Sequence, residues 1–207
     1  KEEPPPSWLV LDSSKSYFDE VAKNYIAQYA NPKETPSKKW AEVNSTLQSI
    51  DTTKLHYVLL PHNHIVIDFD LKDENGEKSV IKNMEEASKW PPTYAEFSKS
   101  EKGLHLHYIY DGDPDKLSHI FAEGIEVKVF KTGSVGPSSL RRKLSKCNEL
   151  PIATISSGLP IKEEKVINFN SVKSEKTLRE LIKKNLRKEV HPGTKPSIDF
   201  IYKLLED

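Results

Sequence analysis

The sequence predicts an α+β protein, with a mixed, mostly antiparallel sheet over residues 1–165 and a small helical unit over residues 166–207. Three observations predict it. The stretch His64-Ile-Val-Ile-Asp-Phe-Asp-Leu71 alternates with a period of two, so His64, Val66, Asp68 and Asp70 share one face and Ile65, Ile67, Phe69 and Leu71 the other. Further strand-like runs at 104–110 and 125–130 are separated by segments rich in Gly, Asp and Pro. A charged linker at 162–173 then gives way to helical spacing at Leu178, Leu181, Ile182 and Leu186.

Composition bounds the answer. The chain has 207 residues, 36% apolar and 30% charged, with zero formal net charge, which describes a globular protein with a real core. Any contact with nucleic acid must come from local basic patches, because the chain as a whole has no positive excess. The single cysteine, Cys147, excludes a disulfide framework and a cysteine-based zinc site, and fits a reducing, intracellular compartment. No apolar run approaches the roughly 20 residues needed to span a bilayer. The chain reads as a piece trimmed from something longer.

Taken in order, residues 1–6 form a polar, proline-rich lead-in. Phe18, Val21, Ala22, Tyr25, Ile26 and Tyr29 recur at helical spacing, with Ser16 as N-cap. A loop follows at 31–37, then a second helix at 38–50 that buries Trp40, Val43 and Leu47. Runs at 55–60 and 65–71 flank Pro61-His-Asn-His64 and predict an antiparallel hairpin. Residues 80–90 read as a helix capped by Ser79 and stopped by Pro91-Pro92. Strands are expected at 94–97, 104–110, 125–130 and 152–156, and a short helix at 114–121 with Asp113 as cap. Between the last two strands lie a Gly/Ser/Pro loop at 131–139 and the basic knot Leu140-Arg-Arg-Lys-Leu-Ser-Lys146.

Several groups carry chemistry. Asp68 and Asp70 stand about 7 Å apart along their strand, at roughly 3.3 Å per residue. Two carboxylates so close repel each other, unless a hard divalent cation takes their oxygens. His105 and His107 share a face of the next strand and follow the polar turn Ser98-Lys-Ser-Glu-Lys-Gly103, whose amides, Ser100 and Lys102 suit a phosphate. Either histidine equally fits an ordinary half-buried strand position. Glu126, Lys128 and Phe130 share a face of the later strand, and Arg141, Arg142 and Lys143 form either a solvated face or a phosphate clamp.

The order of these signals resembles the archaeo-eukaryotic primase superfamily, in particular the primase-polymerase domains of phages and plasmids. The matching motifs are Ile65-Val-Ile-Asp-Phe-Asp70, then Tyr94-Ala-Glu-Phe-Ser-Lys-Ser-Glu-Lys-Gly-Leu-His105, then Ile125-Glu126, within a resemblance covering about residues 40–160. Gly103 stands where the family's second motif has serine, so the serine role passes to Ser100. Glu101 replaces a common glycine, and the third acid is Glu126 rather than aspartate. The resemblance implies an RRM-like module with an N-terminal α/β module. It also implies template-directed nucleotidyl transfer with two Mg²⁺ or Mn²⁺ ions held by Asp68, Asp70 and Glu126. His105 would bind the incoming nucleotide's phosphates, assisted by Ser100, Lys102, Lys128, Arg141 and Arg142. Implied partners are single-stranded DNA template, nucleoside triphosphates and a downstream helicase, in the cytoplasm of a phage or plasmid host. Lys183, Lys184, Arg187 and Lys188 of the C-terminal unit are expected to help hold template.

Three other readings compete. His105-Leu-His107 matches the metal motif of rolling-circle replication endonucleases, with Tyr202 as nucleophile, but leaves Asp68 and Asp70 without a role. His62, His64, His105 and His107 form two His-x-His pairs that suit Zn²⁺ or Fe²⁺. His64 lies about 13 Å along the strand from Asp68, so those two cannot share an ion. A non-enzymatic DNA-binding module is the third. A calcium loop is excluded because Asp68-x-Asp70 lacks the remaining ligands and glycine at EF-hand spacing.

Overall fold

The alternating stretch becomes the central strand of the larger of two sheets. The structure is a computed structural model, and it describes residues 8–131 and 138–163. In chain order the elements are helix α1 (Tyr17–Val21), strands β1 (Ala27–Tyr29), β2 (His56–Val58) and β3 (His64–Phe69), and helix α2 (Val80–Ala87). Strands β4 (Ala95–Phe97), β5 (Leu104–Tyr110), β6 (Ile120–Ala122), β7 (Ile125–Lys128), β8 (Leu140–Arg142) and β9 (Ala153–Ile155) follow. The architecture is α+β with antiparallel sheets. One sheet has the order β1-β2-β8, the other β4-β5-β3-β7-β6, and β9 adds a parallel pairing to β5. The expected C-terminal helical unit, with Lys183, Lys184, Arg187, Lys188 and Tyr202, lies outside the described residues. Among the described residues no helix is long and apolar enough to cross a membrane.

One face of β3 forms the expected core. Ile65, Ile67 and Phe69 pack with Leu104, Leu106 and Tyr108 of β5 and with Ile125 and Val127 of β7, beneath Ala87 of α2 and Trp90. Burying each such large apolar side chain contributes about 1.5–3 kcal/mol. The opposite face is not the solvent face that simple alternation suggests. His64 and Val66 are fully buried there. Val66 belongs to a second apolar cluster with Phe18, Tyr94 and Phe130 that also takes in Ala27, Val58 and Leu140 of the smaller sheet. Cover thins along the strand: the Asp68 side chain is 21% exposed and that of Asp70 45%. The carboxylates emerge where the roof ends.

Local signals and tertiary pairing divide the credit for the rest. Ser16 caps α1 as expected, its Oγ accepting from Asp19 N, but the helix closes at Ala22. Residues 27–29, placed in that helix by periodicity, form β1 instead, because pairing with β2 outweighs weak helical preference. The helix expected at 38–50 resolves into two 3-10 turns, Trp40–Glu42 and Leu47–Ser49, the second closed by the Thr46–Ser49 capping box. Nor do residues 55–60 and 65–71 form a hairpin. β2 pairs with β1 and β8, while β3 pairs with β5 and β7, so the intervening turn carries the chain from one sheet to the other. The helix expected at 114–121 is a single 3-10 turn, Pro114–Lys116, capped by Asp113, and Ile120–Ala122 joins the sheet as β6. Helix α2 starts at its Ser79 cap, with Ser79 Oγ accepting from Lys82 N. β5 spans the expected run.

Candidate active site

Register brings the acidic residues together. Asp68 on β3 stands directly opposite His105 of β5 on one side and Glu126 of β7 on the other, and His105 in turn faces Glu96 of β4. Residues opposite one another in an antiparallel pair project to the same face. One row, Glu96–His105–Asp68–Glu126, therefore crosses four strands. Asp70 lies just past the end of β3, where its backbone N donates to Gly124 O at 2.8 Å. Gly124 has φ +76° and its Cα faces Leu71 and Asp70 closely enough that a side chain would crowd both, so the β6–β7 turn seats directly against the acidic strand.

Asp68 sits in a strong local field. Its Oδ1 lies 3.4 Å from His105 Nε2 and its Oδ2 3.2 Å from Lys128 Nζ. Burial alone would raise its pKa; the His105 imidazole and the Lys128 ammonium outweigh it and hold the carboxyl down at about 2. Asp70 Oδ1 is buried and has no hydrogen-bond partner, the nearest cation being Lys78 Nζ at 3.7 Å. Asp68, Asp70 and Glu126 line a groove of about 800 Å³ with Lys72, Lys82 and Ile120.

The polar turn is braced against this strand from behind. Asn83, fully buried on α2, accepts from Leu71 N through Oδ1 at 2.7 Å and donates through Nδ2 to Lys102 O at 2.8 Å. Ser98 N donates to Gly103 O at 2.8 Å, which closes the turn. A Cβ on Gly103 would stand 2.7 Å from Ser98 Oγ and 3.0 Å from Phe69 O. That close approach accounts for glycine at this position. Gly103→Ala is expected to destabilise the protein by about 1–3 kcal/mol through overpacking, read as a lower urea midpoint. Ser100 Oγ lies 3.2 Å from Ser98 Oγ and 3.3 Å from Lys102 N. Ser100, Lys102 and His105 do not line the acidic groove.

Two expected phosphate ligands are placed elsewhere. Arg142 is 1% exposed, and its guanidinium is consumed by the interior. Nε donates to both Glu96 oxygens at 2.9 Å, one terminal nitrogen lies 2.7 Å from Asp19 Oδ1 and 3.3 Å from His56 Nε2, and the other donates to Ser16 Oγ at 3.2 Å. Its position on β8 points it between the sheets, so it is a structural cation and not a phosphate clamp. Arg141, one residue earlier, faces outward and pairs with Glu34 at 2.8 Å, which also holds Lys99.

The histidines do not form one metal centre. His107 is fully buried with Nε2 3.3 Å from Glu96 Oε1 and Nδ1 2.8 Å from His64 Nε2. Glu96 can only accept, so His107 carries its proton on Nε2, and His64 donates from Nε2 to His107 Nδ1. Burial pushes the pKa of both rings down, with His107 adding to it at His64 and Glu96 partly opposing it at both. His62 is exposed and pairs with Asp115. His107 is thus occupied in the interior, which leaves the His-x-His metal reading without its second ligand. Sequence reasoning missed Glu96 and Asn83. Glu96 shows locally only as a carboxylate inside an apolar run and Asn83 not at all, while Arg142 lies 46 residues from Glu96, and Leu71 and Lys102 lie 12 and 19 from Asn83.

Among the described residues no group of three His, Cys, Asp or Glu side chains is already gathered to hold an ion. Yet the groove walls supply hard carboxylate oxygens, Asp68 stays ionised, and the buried Asp70 Oδ1 is an acceptor lacking a donor. The chemistry fits Mg²⁺ or Mn²⁺, and Lys128 already pairs with one Asp68 oxygen. A scan against protein-family models and a search of curated proteins find no match to this chain.

Proposed function

We propose that this chain is the catalytic domain of a phage- or plasmid-type DNA primase-polymerase, extending strands on a single-stranded DNA template. The observation that supports it most is the row His105–Asp68–Glu126 across three neighbouring strands, with Asp70 two residues beyond Asp68, past the end of β3. These are the positions that the sequence motifs single out, and a groove lies against the three acids.

Asp68, Asp70 and Glu126 would hold two Mg²⁺ or Mn²⁺ ions, which supply activation of the primer 3′-hydroxyl and neutralise charge on the leaving pyrophosphate. The chain's own part is positioning and electrostatics. Asp68 presents an ionised carboxylate at any physiological pH. His105 is fixed beside it by the sheet, and Ser100 and Lys102 stand on the braced turn, where exposed donors suit triphosphate oxygens. Arg142 has no part in this reading. The template, the nucleotides and a helicase remain the partners that the reading requires.

The test is nucleotide incorporation on single-stranded DNA, with and without an annealed primer, in Mg²⁺ and in Mn²⁺. Asp68→Asn/Asp70→Asn keeps the shape and removes the charge, and is expected to lower incorporation at least about a hundredfold. Wild-type protein that incorporates nothing, or a variant that matches it, overturns the reading. Primer-independent synthesis makes the domain a primase as well as a polymerase.

A further inference from the structure

We infer that Lys128 is a built-in competitor for the divalent-cation site, a tethered ammonium that holds Asp68 and thereby sets how weakly the acidic row takes an ion. The inference rests on the reading that cations belong at this row. Lys128 lies two residues after Glu126 on β7 and opposite Val66 of β3, so it shares the face of the acids. Its Nζ stands 3.2 Å from Asp68 Oδ2, while Oδ1 of the same carboxylate lies 3.4 Å from His105 Nε2. Both oxygens of Asp68 are engaged from within the chain. Asp70 has a looser counterpart in Lys78, at 3.7 Å.

The chemistry follows from that placement. An ammonium and a hard cation want the same carboxylate oxygen, and they repel one another across it. Lys128 has a flexible four-carbon stem and a side chain 35% exposed, so it can swing into solvent without breaking the sheet. Displacing it forfeits the ion pair, and that loss is subtracted from the affinity of any arriving ion. A positive charge this close also repels an arriving cation through space, so the ion pair and the repulsion act in the same direction. A competitor makes affinity rise when its charge is removed.

The experiment is direct Mn²⁺ binding to the full 207-residue chain, read from the electron paramagnetic resonance signal of free Mn²⁺. Lys128→Met keeps the stem and removes the charge, and is expected to bind roughly two- to fivefold more tightly than wild type, the loss of one partly exposed ion pair. Lys128→Arg, which keeps the charge, is expected to stay as weak as wild type. Asp68→Asn/Lys128→Met is expected to lose the gain. Lys128→Gln replaces the methionine variant if circular dichroism shows that variant unfolded. Unchanged, weaker or undetectable binding by the neutral variant overturns the inference, as does tight binding by Lys128→Arg. The two readings fail separately. A wild type that makes no DNA while Lys128→Met gains Mn²⁺ overturns only the polymerase, and a working polymerase with unchanged Mn²⁺ affinity overturns only the competitor.

Discussion

Arg142→Met is expected to destabilise the fold by about 3–5 kcal/mol, the cost of leaving a buried charge without its partner. Glu96 is fully buried and depends on that guanidinium. Burial pushes its pKa up, and Arg142 and His107 bring it down well below the ordinary carboxylate range. With Arg142 gone, the carboxylate must either stay charged in an apolar interior or take up a proton. Tyr94 also donates to Glu96, at 2.7 Å, and Ser16, Asp19 and His56 would each lose a contact. Arg142→Lys does not rescue the loss, since one ammonium cannot serve Glu96, Asp19, Ser16 and His56 at once. The double variant Arg142→Met/Glu96→Leu removes both charges and is expected to recover most of the stability, because a buried pair is often close to neutral against apolar residues. Urea midpoints for the two single variants and the double variant close the cycle. A double variant as unstable as the sum of the singles refutes the pairing.

Stability is also expected to fall as the pH drops from 7.5 to 5, well before the carboxylates titrate. Burial, with Arg142 beside it, holds His56 at a pKa of about 4. The unfolded chain, whose histidine titrates near 6.5, therefore binds more protons than the native state between those values, and unfolding stability rises with pH there. The contribution is complete above pH 6.5 and is lost as pH falls towards 4. For His56 alone this amounts to about 2 kcal/mol between pH 7.5 and 5. His64 and His107 are shifted in the same direction and steepen the decline. Asp68 and Glu96, whose pKa values are depressed, add a second loss below about pH 4. Urea midpoints across this range measure the slope, and His56→Gln should flatten it. A flat wild-type profile refutes buried neutral histidines.

The faces of β3 and β5 could be read from alternation alone, and so could the caps Ser16, Ser79 and Asp113, since both depend on neighbours within a few residues. Register could not. Alternation puts Asp68 on one face and Glu126 on a face of its own strand, but only the pairing of β3 with β7 sets one opposite the other. The same limit explains Arg142. Beside Arg141 and Lys143 it reads as one of three solvated cations, and its true partner, Glu96, is 46 residues earlier inside a three-residue strand. Helical periodicity misled at 27–29 because a strand of that length presents too few residues to show its own period, and its partner β2 decides. Even the outward face of β3 was half hidden, since nothing local in His64 or Val66 says that Phe18 and the smaller sheet will cover them.

Asn83 has a mechanical consequence. A single carboxamide grips the backbone at Leu71, next to Asp70, and at Lys102, in the turn that carries Ser100. It works as a spacer of constant length between two jaws. If α2 rocks on the sheet, both jaws travel with it, and the gap between acid and turn is conserved while the whole assembly tilts. The groove's far wall, the β6–β7 turn, is held to β3 by the β3–β7 ladder and by the Asp70–Gly124 backbone hydrogen bond, and not by Asn83.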